Sequence, residues 1–250
     1  MKIAVADNEQ RFDLAAAWRI INTVCANPRA VIGLSTGRTT GNIHRLVCEI
    51  NAELNIDTSQ VTFFGLDEVT GVPREYAGAC YTMLRTEIID GLGIDDRHFL
   101  MLPTESDDFE AECRRFTAEI ERRGGIDLLM LGLGENGHLG FNQPGSPLNC
   151  RCGLASMDAA LEARIRRETG TPDDKQLGGV TLGLLDIMHA RRIVLVAKGR
   201  NKADIVRSML CGPVSSDVPA SLLQLHPDCE FLLDRASASK INVQQLRNRL

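Results

Sequence analysis

Short β-branched runs alternate with stretches of helical periodicity along almost the whole chain, and this alternation limits the fold more than any other feature. Asn8 to Ala26 carries Phe12, Ala15, Ala16, Ile20 and Val24 at helical spacing. Ala30 to Leu34 reads as a buried strand that runs into Ser35-Thr36-Gly37-Arg38-Thr39-Thr40-Gly41, and a helix follows from about Asn42 to Ala52. Val61 to Leu66 is the next strand and ends in Asp67-Glu68. Ala79 to Ile89 and Phe109 to Arg122 read as helices, Ile126 to Leu131 and Ile193 to Ala197 as strands, and Asn201 to Leu210 as a helix before a last strand near Glu230 to Leu233. Strands separated by helices pair in parallel through right-handed crossovers. The expected fold is therefore α/β, a single domain over residues 1–250 with a doubly wound, mostly parallel, Rossmann-like sheet. Asn142 to Gly179 is the least regular stretch, rich in Gly, Pro and charge. It reads as a mobile lid near residues 145–180.

Composition removes several classes of function. The formal charge of −5 leaves no basic field for a polyanion, and 4% aromatics leave little for base stacking. No nucleic-acid partner is expected, although a local basic pocket for one phosphate is compatible with that charge. No run approaches the roughly 20 apolar residues of a membrane span, and Met1 to Phe12 shows no secretory signal. The eight cysteines are scattered, and the one close pair, Cys150 and Cys152, has neither redox nor zinc-knuckle spacing. The expectation is reduced thiols in a cytoplasmic protein, most of them small buried apolar residues, with no metal site.

In doubly wound sheets, ligands bind outside the carboxyl ends of the strands, and several strand ends here carry more chemistry than a turn requires. Ser35 to Thr40 joins a strand to a helix. Its backbone N–H groups and hydroxyls suit an anion, with Arg38 adding charge, or the hydroxyls only cap the helix. It lacks the terminal Gly-Lys-Ser/Thr of a Walker loop. At the next strand end, Asp67 or Glu68 is a candidate general base if the site desolvates it; otherwise the pair is a solvated terminus. Gly132-Leu133-Gly134-Glu135-Asn136-Gly137 satisfies G-x-G-x-x-G as a string, but the prolines and glycines of His138 to Pro147 make a loop where a dinucleotide fold needs a helix. That loop displays His138 between Asn136 and Gln143, an acid/base candidate or a structural histidine. Lys202 opens a helix after Ile193 to Ala197 and is either a phosphate ligand or a solvated lysine. Arg164, Arg166 and Arg167 form a basic cluster in the irregular segment that a solvated helix face explains equally well.

Taken in order, these segments resemble the glucosamine-6-phosphate deaminase/isomerase family over about Asn8 to Leu233. The resemblance is carried by Leu34 to Thr39, Leu66-Asp67-Glu68 with Gly71, Gly132 to Pro144, Gly199 to Ala203, and Leu223-Gln224-Leu225-His226-Pro227. It implies a fold of the sugar-phosphate isomerase/deaminase type and conversion of an amino-hexose 6-phosphate to a ketose 6-phosphate and ammonia, without a cofactor. It also implies roles. Asp67 would move a proton between C1 and C2, and His138 would assist ring opening. Ser35, Thr36, Gly37, Arg38, Thr39 and Lys202 would hold the phosphate, with an arginine from the lid among Arg164, Arg166 and Arg167.

Two positions depart from the family. Asn136 stands where the deaminases carry Asp, and Gln143 where they carry Glu, so the histidine loses two charged neighbours. Asn136 before Gly137-His138, Gly179 to Leu184 and Val218-Pro219-Ala220-Ser221 are most similar to the galactosamine-6-phosphate isomerase branch. Residues of the family's allosteric amino-sugar site are not evident after Pro144, and no allostery is expected. A small-molecule sugar phosphate is the expected partner; a homo-oligomer stays open. Two alternatives accompany this reading. One is a 6-phosphogluconolactonase-like hydrolase. The other is a non-catalytic sugar-phosphate sensor, against which stands the lack of any segment for a helix-turn-helix domain.

Overall fold

A computed structural model describes residues 2–247. The chain opens with β1 (Lys2–Ala6) and α1 (Glu9–Ala26), then β2 (Val31–Leu34), α2 (Thr40–Leu54), β3 (Thr62–Gly65) and β4 (Asp67–Thr70). The short α3 (Cys80–Leu84) continues through a π-helical turn (Arg85–Ile89), and β5 (Phe99–Leu100), α4 (Phe109–Arg122) and β6 (Leu128–Gly132) follow. Next come β7 (Gly153–Ala155), α5 (Ala159–Thr169), β8 (Gly178–Thr181) and α6 (Leu184–Met188). The last elements are β9 (Ile193–Ala197), α7 (Ala203–Cys211), β10 (Cys229–Asp234) and α8 (Val243–Arg247).

Seven strands form one sheet in the order β1-β10-β9-β6-β2-β3-β5. Every pairing in it is parallel. Alternate residues of the central strands feed two cores. Leu129 and Leu131 of β6 and Ile193 and Leu195 of β9 pack with Phe116 and Ile120 of α4 and Val206 and Met209 of α7. Leu128, Met130, Val194 and Val196 face the other way, onto Phe12, Ile20 and Val24 of α1 and Ile43 and Val47 of α2. The period of two within each strand thus covers both sheet faces, as a parallel sheet requires. The expected doubly wound α/β fold is observed.

The strand order dictates where the site lies. From β2 the chain winds outward through β3 to β5. It then returns to β6, beside β2, and winds the other way through β9 and β10. The reversal leaves a crevice at the carboxyl ends of β2 and β6, where open α/β sheets bind ligands.

A second sheet, β4-β8-β7, is antiparallel throughout. It organises the segment read as irregular: Asp158 caps α5 by accepting from Ala160 and Leu161 N–H groups, and Gly170 ends it in a left-handed conformation. Ile165 of α5 packs with Val69, Val72, Phe141 and Leu177 in a small third core. Among the described residues no helix is long and apolar enough to cross a membrane, and the eight cysteines are free.

Candidate active site

Two hydrogen bonds tie the strand ends of the crevice together. Ser35 Oγ accepts from Gly132 N at 2.9 Å, bridging the residues that follow β2 and end β6. One residue later, Leu133 O accepts from Lys202 Nζ at 2.7 Å, which draws in the chain after β9. The loop from Ser35, the loop from Gly132 and Lys202 therefore meet.

In the first loop, Gly37 has φ of +136° and nothing lies within 4 Å of where its side chain would begin, so the backbone there is uncovered. The helix-capping alternative finds no support at Thr39, whose side chain makes no cap hydrogen bond to α2. Thr40 Oγ1 instead donates to Gly37 O at 3.3 Å and holds the turn. Arg38 is exposed. Ser35 is buried, with its hydroxyl oxygen occupied by Gly132, so it is built into the frame of the loop.

Asp67 is the first residue of β4, where the chain leaves the large sheet for the small one. It is half-buried. Burial pushes its carboxyl up to about 6, against a weak opposing hydrogen bond from the Cys80 thiol. Glu68 is fully buried, and its oxygens accept from Val69 N at 2.8 Å, Cys80 N at 2.7 Å and Tyr81 N at 2.8 Å. Burial raises it to about 7 despite those three donors. The two neighbouring carboxyls thus divide: Glu68 fastens α3 to β4, and Asp67 is the one left to the crevice.

The glycine-rich loop brings His138 to the same place. Its ring lies against Gly134, where any side chain would collide with it. Asn136 Oδ1 accepts from His138 N at 3.2 Å and lies 2.7 Å from His138 Nδ1. A backbone N–H only donates, so Asn136 must present oxygen here, and Nδ1 must carry the ring proton. Nε2 keeps its lone pair in the neutral ring. Burial, then the Lys202 ammonium, hold the imidazole below its ordinary value, with Asp158 opposing. Lys202 is itself lowered by burial. Two residues on, Gly140 adopts φ of +57° and packs so that an added Cβ would lie 3.2 Å from Asp67 Oδ2. The histidine loop thus passes beside the carboxylate with no room for a side chain between them.

Of the three candidate arginines in the segment at 145–180, Arg166 is engaged, with Glu162 at 2.6 Å, Pro172 O at 2.5 Å and Lys175 O at 3.0 Å. Arg164 makes a long contact of 3.9 Å to Glu168 and is exposed, as is Arg167. An open cleft of about 1230 Å³ lies under α5, lined by Thr70, Glu105, Asp107, Leu154, Arg166 and Lys175 among others. Its lining includes none of the residues brought together at the crevice. Sequence reasoning missed Cys80, which joins the site through its thiol, and His44, which is wholly buried in α2 and bonded to Glu87 at 2.8 Å. Neither carries a motif.

Fold and crevice are those of a class of α/β sugar-phosphate enzymes. A family profile described as glucosamine-6-phosphate isomerases/6-phosphogluconolactonase matches residues 9–230, and the chain belongs to this family. It is 35% identical to the glucosamine-6-phosphate deaminase of Halothermothrix orenii over 239 residues, covering 96% of this chain and 99% of that one. It is 31% identical over 244 residues to the enzyme of that name from Clostridium botulinum, covering 98% and 100%. Among solved structures, a monomeric glucosamine-6-phosphate deaminase of the NagB superfamily superposes with a TM-score of 0.89 at 29% identity, covering 96% of this chain and all of that one. The 6-phosphogluconolactonase of Trypanosoma brucei shares the fold, with a TM-score of 0.75 at 21% identity, covering 96% and 98%.

Proposed function

We propose that the protein is an amino-hexose 6-phosphate isomerase/deaminase that converts glucosamine-6-phosphate or galactosamine-6-phosphate, with one water, to a ketohexose 6-phosphate and ammonia. One observation carries this reading: a carboxylate held near pH 6 and a neutral imidazole share a crevice with an open, uncovered loop and a half-buried lysine. The phosphate is held by the Thr36 and Thr39 hydroxyls, the backbone N–H groups around Gly37 and the Lys202 ammonium, with Arg38 adding charge from the rim. His138 Nε2 takes the proton of the anomeric hydroxyl and returns it to the ring oxygen as the ring opens. Asp67 then removes the proton from C2 and delivers it to C1 while one amine proton passes to the C1 oxygen, which leaves an imine at C2 and a hydroxyl at C1. Water adds to that imine, ammonia departs, and the ketose remains. The segment at 145–180 covers the crevice during the reaction, with Arg164 or Arg167 free to reach the phosphate.

The uncharged Asn136 and Gln143 behind His138 support the galacto branch as the finer assignment. Ammonia release from both amino-sugar 6-phosphates, with a phosphogluconolactone as control substrate, tests the reading. Hydrolysis of the lactone without ammonia release would overturn it in favour of a lactonase, and binding without turnover in favour of a sensor.

A further inference from the structure

Cys80 enters no step of that chemistry, yet through it the carboxylate and the phosphate loop touch. It is buried at the start of α3. Its Sγ lies 3.7 Å from Asp67 Oδ1 and 3.3 Å from Thr36 Oγ1. Its backbone is clamped, because Glu68 Oε1 accepts from Cys80 N at 2.7 Å. An ionised carboxylate only accepts, so the single thiol proton goes to Asp67 and the Thr36 hydroxyl donates to sulfur. The other groups around Asp67 offer no such link. Thr181, its partner on β8, brings a neutral hydroxyl, the histidine loop brings Gly140, and Glu68 brings a second carboxyl that accepts from backbone.

We propose that Cys80 is a positioning residue for the proton transfer: shared between Asp67 and Thr36, its thiol holds the base in one orientation and ties it to the loop that takes the phosphate. The role of Asp67 as the base rests on the function proposed above, whereas the contacts of Cys80 do not. A thiol suits this place because it is a weak donor. It orients the carboxylate while stabilising the charged form only slightly, so burial still sets the proton affinity of Asp67.

The test compares Cys80→Ala, Cys80→Ser and Thr36→Val with the wild type. Two quantities are read: the acid limb of kcat/KM with glucosamine-6-phosphate, and the midpoint of the Asp67 carboxyl followed by ¹³C NMR. Losing the donor in Cys80→Ala leaves the charged form less favoured, so the midpoint and the acid limb move to higher pH, by up to about one unit, or tenfold in proton affinity. Cys80→Ser returns a donor and brings the midpoint back to or below that of the wild type. Thr36→Val keeps the thiol, shifts the midpoint less than Cys80→Ala, and raises KM because a phosphate donor is lost. A cysteine that only fills space would lower Tm and leave the midpoint where it was. The proposal is overturned by an unshifted midpoint in Cys80→Ala, or by a Cys80→Ser midpoint raised as far as that of Cys80→Ala. Absence of ammonia release by the wild type would sink the functional reading instead, while the NMR midpoints would still decide the role of the thiol.

Discussion

Asn136 Nδ2 donates to Gln143 Oε1 at 3.0 Å, so the hydrogen-bonded chain behind His138 is neutral from end to end. Neutral amides fix the ring and its tautomer but contribute no charge to an imidazolium. A carboxylate in either position favours the protonated ring. Asn136→Asp, directly on Nδ1, should raise the His138 pKa more than Gln143→Glu, which acts through the Asn136 amide. In the proposed mechanism His138 acts as a base in its neutral form, so a raised pKa moves the acid limb of kcat/KM to higher pH. An NMR titration of His138 in the three proteins, beside their pH profiles, checks both the direction and the order. Unmoved titrations would show that Gln143 only braces the loop.

Asp67 should show opposed effects on activity and stability. Asp67→Asn keeps the shape and loses the basicity, so kcat should fall by roughly 10²–10⁴ with little change in KM. The carboxyl is raised in the folded protein to about 6. Such a group binds its proton more tightly folded than unfolded, so wild-type stability declines as pH rises from near 4 to above 6. Asp67→Asn should therefore have the higher Tm at pH 8, with the gap closing towards pH 5. Thermal unfolding at the two pH values tests this. Turnover at the wild-type rate would move the base to Glu68.

Lys202→Ala should raise KM at least tenfold, on the order of 1.4 kcal/mol, and change kcat less, because a phosphate contact acts in ground and transition states alike. It should also raise the His138 pKa, since the Lys202 ammonium is one of the two influences that depress it. Steady-state kinetics and the same NMR titration read the two effects separately.

Glu68→Ala should destabilise the fold by about 1–3 kcal/mol, because it leaves three buried backbone N–H donors without an acceptor. The affected donors are those of Val69, Cys80 and Tyr81. Denaturant unfolding at pH 8 gives the size of the loss. A variant as stable as the wild type would mean that water replaces the carboxylate at those donors.

Much of this was legible in the chain because the central strands and long helices follow simple periods. Val31 to Leu34, Ile193 to Ala197 and Phe109 to Arg122 lie where the pattern puts them. The small sheet was not legible. Asp67 to Thr70 is short and polar, and its partner Gly178 to Thr181 lies more than a hundred residues away and opens with two glycines. Helix α5 did leave a signal, Asp158 before an Ala-Leu-Glu-Ala run and Gly170 after it, which the surrounding glycines and prolines masked. Cys80 could not be read as part of the site, because a cysteine's sequence neighbours do not tell whether its thiol meets a carboxylate or a methyl group.

The position of Asp67 at the junction of the two sheets has a consequence for selectivity. The loop at Ser35 is rooted in the large sheet and Asp67 is paired into the small one, so the span between them is set by the seam where the sheets meet. Phe141, packed against Gly179 on β8, is part of that seam. In the proposed reaction, that span sets the length of sugar that fits between the phosphate and the carboxylate. Shortening Phe141 to Leu should then change the ratio of turnover between six-carbon and five-carbon amino-sugar phosphates, measured side by side.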